Sequence, residues 1–427
     1  MGVLLDLVYL LAALIASPYV LFRMATSARW RAGFAQRMGF VPRREGTRRC
    51  VWIHAVSVGE VGAVKPMIDL LRKQHPDWDL RISTTTNTGQ KIARDRYGDA
   101  AFYFPLDCTP ALLNCFGRVR PDLIVLIELE VWPNFLRLAR RRGIPVVIVN
   151  GRMREERVPS YRRLRLLFAP ALAEDSRNVF CVQNDTYRDR FTRAGFPAAK
   201  TRVTGTMKYD AVRTDPAPEK TATLRKTMGL APDERVWVAG CTWPGEEAIC
   251  LRAHRKLLEI DPALRLAIAP RHVERAGDVS REIEQAGFAC RRRSAENGPA
   301  GPQTVCLLDS VGELSYLYET AEFAFVGKSL TAQGGHNMLE PAALGVAPVF
   351  GPRTDNFPDE AQLLLDAQAA LLVRDEAELA DALRNLLQQP HLRREMGARG
   401  RSALAARRGA SQRHVDVLRD VLQGTPA

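Results

Sequence analysis

The stretch that decides the fold is LIVLIELEVWPNFLRLARRRGIPVVIVN, residues 123–150. Residues 123–127 and 146–150 are short runs of Val, Ile and Leu, which predict buried strands. Residues 134–142 lie between them and predict a helix. A strand, a helix and a second strand joined by short loops form the repeating unit of a parallel sheet. The stretch therefore predicts an α/β fold.

The same alternation continues on both sides of this stretch. Further strands are predicted at 50–55, 80–84, 179–182, 236–239, 264–269, 304–308, 323–326 and 347–350. Helices are predicted at 60–73, 246–258, 279–286 and 337–344, and within 376–422. The proline-rich segment 214–219 suits a linker. The pattern predicts two Rossmann-like domains facing across a cleft, at 25–210 and 211–427, with C-terminal helices able to pack back on the first domain.

Composition narrows the functional classes. The 427 residues include 61 Lys and Arg against 48 Asp and Glu, a net charge of +13, which indicates an anionic partner: nucleic acid, acidic lipid or a phosphorylated substrate. The eight cysteines are scattered without metal spacing, so we expect small buried side chains in a reducing compartment. The sequence contains neither G-x-G-x-x-G nor a P-loop, which argues against dinucleotide redox chemistry and P-loop phosphoryl transfer.

The N-terminal segment is apolar. Between residues 4 and 22 the only charged residue is Asp6, and several arginines follow, beginning with Arg23. The segment lacks a basic region before it and a cleavage site after it, which argues against a signal peptide. It predicts a membrane anchor over residues 1–24, either a short span or an interfacial helix, with the rest of the chain on the cytoplasmic side. A buried N-terminal helix is the alternative.

Acidic side chains follow two of the predicted strands. Glu60 lies where a helix begins after the first strand, and it could act as a general base toward a hydroxyl or simply complement the helix dipole. Glu128 and Glu130 follow the strand at 123–127 and point to the same side of an extended segment. Carboxylates at the end of a buried strand are costly without partners, so they indicate either function or a structural ion pair.

Candidate anion-binding residues lie further along the chain. Lys208 could neutralise an anion near the domain junction, or it could be a solvated lysine. Arg271 follows a strand and can grip a phosphate. In GGHNMLEP, residues 334–341, a glycine turn precedes a short predicted helix, so free N–H groups could face an anion while Glu340 accepts from ribose hydroxyls. The alternative is a loop that caps a core helix.

Ten segments occur along the chain in this order: HAVSVGEV, TTTNTG, IELEVWPN, NGRM, VTGTMKYD, AGCTWPGEE, APRHVER, GELSYLY, FVGKSL and GGHNMLEP. Together they resemble the 3-deoxy-D-manno-octulosonate (Kdo) transferases of Gram-negative lipopolysaccharide synthesis. The resemblance implies a GT-B glycosyltransferase that moves Kdo from CMP-Kdo to a lipid A precursor, lipid IVA, with inversion. It implies no metal or other cofactor and no nucleic-acid partner. It also implies a place at the cytoplasmic leaflet of the inner membrane.

The resemblance also implies roles for single residues. Glu60 looks like the proton acceptor, and Glu130 and Lys208 look like transition-state stabilisers. The positions that look like CMP contacts are Pro270, Arg271, Val311, Gly312, Glu313, Asn337, Met338, Leu339 and Glu340; further candidates are Glu128, Ser329, Gly334 and Gly335.

The chain departs from the family pattern in two segments. Where GSTHEGEE is usual, it has GCTWPGEE, with Cys241 for a serine and Trp243-Pro244 for a His-Glu pair. Lys328 stands where a glycine is common. Two alternatives stay open at this point: a different GT-B enzyme, such as a nucleotide-sugar epimerase or hexosyl transferase, and a non-catalytic membrane-attached module that binds acidic lipid.

Overall fold

The structure, a computed structural model, describes residues 2–295, 301, 303–332 and 334–424. Its internal contacts divide the chain into two compact units. Unit 1 comprises Met1–Ala211 together with Arg408–Ala427, and unit 2 comprises Val212–Arg407. Each unit contains a seven-stranded parallel sheet among its described residues.

The sheet of unit 1 has the strand order β3-β2-β1-β4-β5-β6-β7. Its strands are β1 Cys50–His54, β2 Asp79–Thr84, β3 Ala101–Tyr103, β4 Leu123–Ile127, β5 Val146–Gly151, β6 Val179–Val182 and β7 Thr201–Val203. β1 and β4 pair directly, with Val51 opposite Leu123. The strand order reverses between these two strands. Open α/β sheets bind ligands beside the carboxyl ends of the strands at such a reversal.

The helices of unit 1 begin with α1 Gly2–Thr26, α2 Ala28–Arg31 and α3 Phe34–Arg37. They continue with α4 Val58–Ala63, α5 Lys65–Gln74, α6 Asn87–Tyr97, α7 Thr109–Val119, α8 Pro133–Arg141, α9 Val158–Glu174, α10 Asp185–Ala194 and α11 Lys208–Ala211. The core on one face of the sheet surrounds the fully buried indole of Trp52, which packs against Phe102, Phe116 and Phe135.

The sheet of unit 2 has the order β10-β11-β9-β8-β12-β13-β14. Its strands are β8 Val236–Thr242, β9 Arg265–Pro270, β10 Ala289–Arg292, β11 Thr304–Leu307, β12 Ala321–Val326, β13 Ala347–Phe350 and β14 Leu371–Leu372. Its helices are α12 Pro218–Thr227, α13 Glu246–Leu258, α14 Ala276–Gln285, α15 Leu314–Tyr318, α16 Leu339–Ala343, α17 Pro358–Asp366, α18 Glu376–Gln388 and α19 Pro390–Ala405. Here the order reverses between β8 and β12.

The final helix, α20 (Ala410–Gln423), belongs to unit 1 and packs against α5. The buried imidazole of His414 accepts a hydrogen bond from the Asn150 backbone N–H at 3.1 Å. The Asp210 carboxylate accepts from the backbone N–H groups of Gly409 and Ser411. These polar contacts fix the C-terminal helix to the end of β5 and to α11.

Helix α1 is attached to unit 1 by polar contacts and leaves apolar side chains uncovered. The Asp6 carboxylate accepts hydrogen bonds from the Thr109 backbone N–H and the Asn134 amide, at 3.1 and 3.0 Å. The Leu14 and Ile15 side chains are 62% and 74% exposed. The described residues contain no helix whose length and apolar character would suffice for a membrane span.

Most predicted elements are present, with shifted ends. The predicted strand at 347–350 and helix at 246–258 have the predicted bounds. The helix predicted at 60–73 is two helices, α4 and α5, which meet at Val64. The helix predicted at 337–344 is the five-residue α16, which begins at Leu339.

Candidate functional site

Glu60 lies in the first turn of α4, directly after β1. Ser57 caps this helix with its hydroxyl, and the Glu60 carboxylate accepts from the Val56 backbone N–H at 2.8 Å and from the Ser57 hydroxyl at 3.2 Å. Burial, together with the nearby carboxylates of Glu128 and Glu130, raises the pKa of Glu60 to about 7, although the hydrogen bonds from Val56 and Ser57 act in the opposite direction. The Glu60 carboxylate therefore helps to cap the helix, and its pKa near 7 suits a general base at neutral pH, a role that stays a prediction.

Glu128 and Glu130 follow β4, the strand that pairs with β1. Glu128 has a left-handed backbone conformation, with φ 61°, and its carboxylate accepts from the Arg152 guanidinium at 2.7 Å. The Glu130 carboxylate accepts from the Trp132 indole N–H at 3.1 Å. Burial raises the pKa of Glu130 to about 7, which the Trp132 hydrogen bond opposes and Glu128 reinforces. Arg152 is thus the structural ion-pair partner of Glu128, whereas neither Glu60 nor Glu130 forms an ion pair with another described residue.

Lys208 is the first residue of α11, and α11 packs against α4, the helix that carries Glu60. The structure therefore brings three predicted carboxylates together and places Lys208 on a neighbouring helix. The group lies beside the carboxyl ends of β1 and β4, where the strand order of unit 1 reverses. We call Glu60, Glu128, Glu130 and Lys208 the carboxylate site.

In unit 2, Arg271 follows β9 and lies among other charged groups. Its backbone N–H donates to the Thr242 carbonyl oxygen at 3.1 Å, and Pro270 is buried in the strand before it. The charge of Arg271 acts on both Glu340 and His336. Burial, together with the charges of Arg271 and Lys328, lowers the pKa of His336 to about 4. His336 is therefore neutral at pH 7, beside two cations.

The segment after the glycine pair is only partly as predicted. Burial raises the pKa of Glu340, whose carboxylate accepts from the Asn337 amide at 3.3 Å. Met338 and Leu339 bury their side chains completely, so they can offer a ligand only backbone groups. The Leu339 N–H already donates to the Asn337 side chain at 3.2 Å. Since α16 has only five residues, it contributes less helix dipole than the predicted eight-residue helix.

The glycine pair has a conformational role. Gly334 and Gly335 have φ values of 116° and 64°, which residues with a Cβ rarely adopt. The prediction that their N–H groups are free is wrong: the Gly334 N–H donates to the Asp355 carboxylate at 3.1 Å, and the Gly335 N–H donates to the Lys328 carbonyl oxygen at 2.9 Å. Both N–H groups of this turn are therefore already donated to protein acceptors.

A buried carboxylate that sequence reasoning missed fixes the neighbouring loop. Glu246 is fully buried, and it accepts from the backbone N–H groups of Trp243, Lys328, Ser329 and Leu330 at 2.6–2.9 Å. The Ser329 hydroxyl is also fully engaged, because it donates to the Val326 carbonyl oxygen and accepts from the Gly351 N–H. Ser329 is therefore a structural residue of the loop after β12. The two adjacent glutamates of AGCTWPGEE are the sequence feature from which Glu246 could have been identified.

Residues 311–313 follow β11, the neighbour of β9 in the sheet. The Val311 side chain is 84% exposed and Gly312 has φ 91°. The Glu313 carboxylate accepts from the Arg293 guanidinium at 3.1 Å. The loop thus lies at the same edge of the sheet as Pro270 and Arg271, as predicted from the parallel order. Within the described residues, no group of three or more His, Cys, Asp and Glu side chains is placed to hold a metal ion.

A family model and two relatives that match this chain carry the same enzyme description. A sequence model described as 3-Deoxy-D-manno-octulosonic-acid transferase (kdotransferase) matches residues 32–211. The 3-deoxy-D-manno-octulosonic acid transferase of Haemophilus influenzae is 34% identical over 405 residues, which cover 93% of each chain. That of Bordetella pertussis is 33% identical over 387 residues, 87% of each chain.

Solved structures share the fold at low sequence identity. The UDP-GlcNAc 2-epimerase from Neisseria meningitidis bound to UDP-GlcNAc superposes with a TM-score of 0.59 at 14% identity, covering 87% of this chain and all of that one (100%). At that identity the likeness concerns the fold alone. The two parallel-sheet units are those of the GT-B fold, which confirms the predicted fold class.

Proposed function

The chain belongs to the 3-deoxy-D-manno-octulosonic acid transferase family, and we propose that it moves Kdo from CMP-Kdo to a lipid A precursor, lipid IVA, in lipopolysaccharide synthesis. It is a glycosyltransferase. The observation that best supports the proposed reaction is the carboxylate site of unit 1, where burial and two like charges give Glu60 a pKa of about 7. A carboxylate of that pKa is suited to accept a proton at neutral pH.

Glu60 acts as the general base in this proposal. It takes the proton from the acceptor hydroxyl as that oxygen bonds to the anomeric carbon of Kdo. The bond from the same carbon to the phosphate oxygen breaks, and CMP leaves with the electron pair. Because the attack is direct, the configuration inverts. Glu130 and Lys208 stabilise charge that develops in the transition state.

The donor's anionic groups are assigned to unit 2. Arg271 is exposed at the end of β9, so its guanidinium can bind a phosphate through two N–H groups. Pro270 and residues 311–313 lie at the same edge of the sheet, and Asn337 and Glu340 present polar atoms for the nucleoside. Glu340, whose pKa is raised by burial, can accept from a ribose hydroxyl or, when protonated, donate to one.

One assay tests the reaction. The purified protein is incubated with CMP-Kdo and a tetraacylated, bisphosphorylated disaccharide acceptor, and the product is read by mass spectrometry. We expect the acceptor to gain the mass of one or more Kdo residues and CMP to be released. UDP-GlcNAc and UDP-glucose serve as parallel donors. Turnover with a UDP-sugar and none with CMP-Kdo would favour another GT-B enzyme, while binding of acidic lipid without any turnover would favour a non-catalytic module.

We also propose that the chain works at the cytoplasmic face of the inner membrane, with α1 lying in the membrane interface. In support, several large apolar side chains of α1 are more than half exposed, which is costly in water and favourable in lipid: Leu7, Leu11, Leu14, Ile15, Tyr19, Leu21 and Phe22. Arginines follow the helix in the sequence, and an anionic leaflet attracts them.

Co-sedimentation with vesicles tests the membrane proposal. The α1 double variant combines Leu14→Gln and Ile15→Gln. Both side chains are largely exposed, so the fold should survive while binding to vesicles rich in anionic lipid falls. Ile260→Gln, an exposed apolar side chain of unit 2, is the control and should bind as the wild type does. Equal sedimentation of the α1 double variant and the control would exclude α1 as the membrane contact.

A further inference from the structure

We propose that Lys328 binds an anionic group of the sugar-nucleotide donor and thereby sets the donor affinity of this chain. The proposal rests on the proposed function, because it takes the donor to bind at the carboxyl ends of the unit 2 strands. Lys328 follows β12, whose neighbour β8 lies across the reversal of strand order. That is the position where open α/β sheets bind ligands.

The backbone of Lys328 is held in place on both sides. Its N–H donates to the Glu246 carboxylate at 2.6 Å, and its carbonyl oxygen accepts from the Gly335 N–H at 2.9 Å. Between these two contacts the lysine has φ 57°, a left-handed conformation that is unfavourable for a residue with a Cβ. A glycine would fit here without that cost, so the lysine side chain is not required by the local backbone.

The side chain is directed by an aromatic ring. The Lys328 ammonium lies 4.9 Å from the centre of the Trp243 ring, a distance typical of a cation–π contact. Trp243 is at the end of β8, on the other side of the reversal of strand order. Lys328 forms no ion pair with a carboxylate in the part of the chain that the structure describes. Trp243 therefore orients a partly buried cation and leaves its charge without an opposite partner.

Lys328 and Arg271 both lie near the partly buried ring of His336. The charges of Arg271, Lys328 and His272 all act on the His336 ring and disfavour its protonation. The Glu340 carboxylate is the acidic group that faces Arg271, and burial disfavours its charged form. A cluster of this kind has a positive potential that an anion would relieve. Lys328 also lies against the glycine turn, since a Cβ added to Gly334 would be 3.6 Å from its ammonium nitrogen.

The matching ligand chemistry is a compact anion on a nucleotide sugar. A CMP-linked acidic sugar offers two such groups, the phosphate and the sugar carboxylate, and an ammonium can bind either through charge-assisted hydrogen bonds. Both belong to the same donor, so the experiment must separate them. Cytidine carries neither group, CMP carries only the phosphate, and CMP-Kdo carries both.

The test compares Lys328→Met, which keeps the length and removes the charge, with Lys328→Arg, which keeps the charge. Calorimetry with cytidine and CMP gives the affinities, and steady-state kinetics with CMP-Kdo gives KM and kcat. Loss of a charged contact at a partly buried position should weaken binding about tenfold. Lys328→Arg should retain most of the affinity, and cytidine binding should not change in either variant.

Lys328→Gly adds a check on folding, because glycine relieves the positive φ. Gln368→Gly is the matched control: Gln368 has φ 50°, is exposed and lies in unit 2. Both glycine variants should melt at or above the wild-type temperature, yet only Lys328→Gly should lose donor affinity. Thermal unfolding with and without CMP measures both quantities.

The outcomes are distinct. Weaker CMP binding in Lys328→Met supports a phosphate contact. Unchanged CMP binding with a tenfold higher KM for CMP-Kdo supports a carboxylate contact. If CMP affinity and the KM for CMP-Kdo both stay within twofold in Lys328→Met and Lys328→Gly, the proposal is overturned while the proposed function stands. If the wild-type protein binds neither CMP nor CMP-Kdo, the proposed function fails and this proposal fails with it.

Discussion

Replacing Glu60 by Gln should separate catalysis from donor binding. The amide keeps the size of the side chain and one acceptor for the Val56 N–H, but it cannot take a proton at neutral pH. General base catalysis typically contributes about 10²- to 10⁴-fold, so kcat should fall by about that factor. CMP affinity should be unchanged, because the donor residues are assigned to unit 2 and Glu60 lies in unit 1.

The raised pKa also predicts the pH profile. With a pKa of about 7, Glu60 is half ionised at pH 7 and about a tenth ionised at pH 6. The wild-type rate should therefore rise about tenfold per pH unit well below pH 7 and level off above it. Glu128→Gln removes one of the two like charges that raise this pKa, so its rate should level off at a lower pH.

The same shift predicts a change in stability. The folded-state pKa of Glu60 is raised above the unfolded value of 4.5, so the folded protein binds more protons between pH 4.5 and about 7. Stability therefore falls as the pH rises through this range, and the loss is complete above it. Glu60→Gln removes the loss and should stabilise the protein at pH 8, by at most about 3 kcal/mol at 1.36 kcal/mol per pKa unit.

Three measurements on the wild type and Glu60→Gln test these predictions. They are initial rates from pH 5 to 9, calorimetric binding of CMP, and urea unfolding at pH 5 and pH 8. Asp69→Asn serves as a control carboxylate, since Asp69 is exposed on α5. The base assignment is refuted if Glu60→Gln keeps kcat within twofold of the wild type. The assigned environment is refuted if the acid limb of the wild type lies near pH 4.5, or if Glu60→Gln is less stable at pH 8.

Three further predictions concern residues outside the carboxylate site. Arg271→Ala should weaken CMP binding by roughly 10- to 100-fold through loss of a charged contact, and unchanged calorimetric affinity would remove Arg271 from the donor site. Glu246→Gln should lower the free energy of unfolding by about 2–4 kcal/mol, because a single amide oxygen cannot serve N–H groups that two carboxylate oxygens now accept from; an unchanged melting temperature in calorimetry would contradict this. Asp6→Ala should release α1 from its contacts with Thr109 and Asn134 without unfolding unit 1, so hydrogen exchange should quicken in α1 alone, and protection equal to the wild type would count against the docking role of Asp6.

The architecture was predictable because the central strands of both sheets are short, continuous runs of apolar residues. The apolar runs at β4 and β5 are complete strands, buried on both faces, so their length and composition suffice to identify them. The short edge strands β7 and β10 were missed, since they are only partly buried and carry arginines such as Arg202, Arg291 and Arg292. The sequence analysis allowed C-terminal helices to pack back on the first domain, but the contacts of His414 and Asp210 that fix α20 in unit 1 are remote in sequence, and no local pattern encodes them.

For the candidate site, the sequence predicted where the residues lie but not which groups they contact. Strand-end positions located Glu60, Glu128, Glu130 and Arg271, because parallel strands bring their carboxyl ends to one edge. The partners that set their chemistry were not predicted: Arg152 pairs with Glu128 through a loop that follows another strand. In the same way, the free N–H groups expected at the glycine turn are occupied by groups that become neighbours only when the chain folds.

Because one carboxylate, that of Glu246, fixes the loop after β12, the residue at position 328 of this loop is able to vary. The carboxylate fixes the loop through main-chain N–H groups, which every residue except proline possesses. The conformation of the loop is therefore largely independent of the side chain at position 328, and a substitution there costs little more than its backbone preference. A neutral residue at this position can therefore be replaced by a cation through a single amino-acid substitution, without rebuilding the loop. The freedom to vary at 328 is bought by the constraint at 246, where we expect almost no replacement to be tolerated.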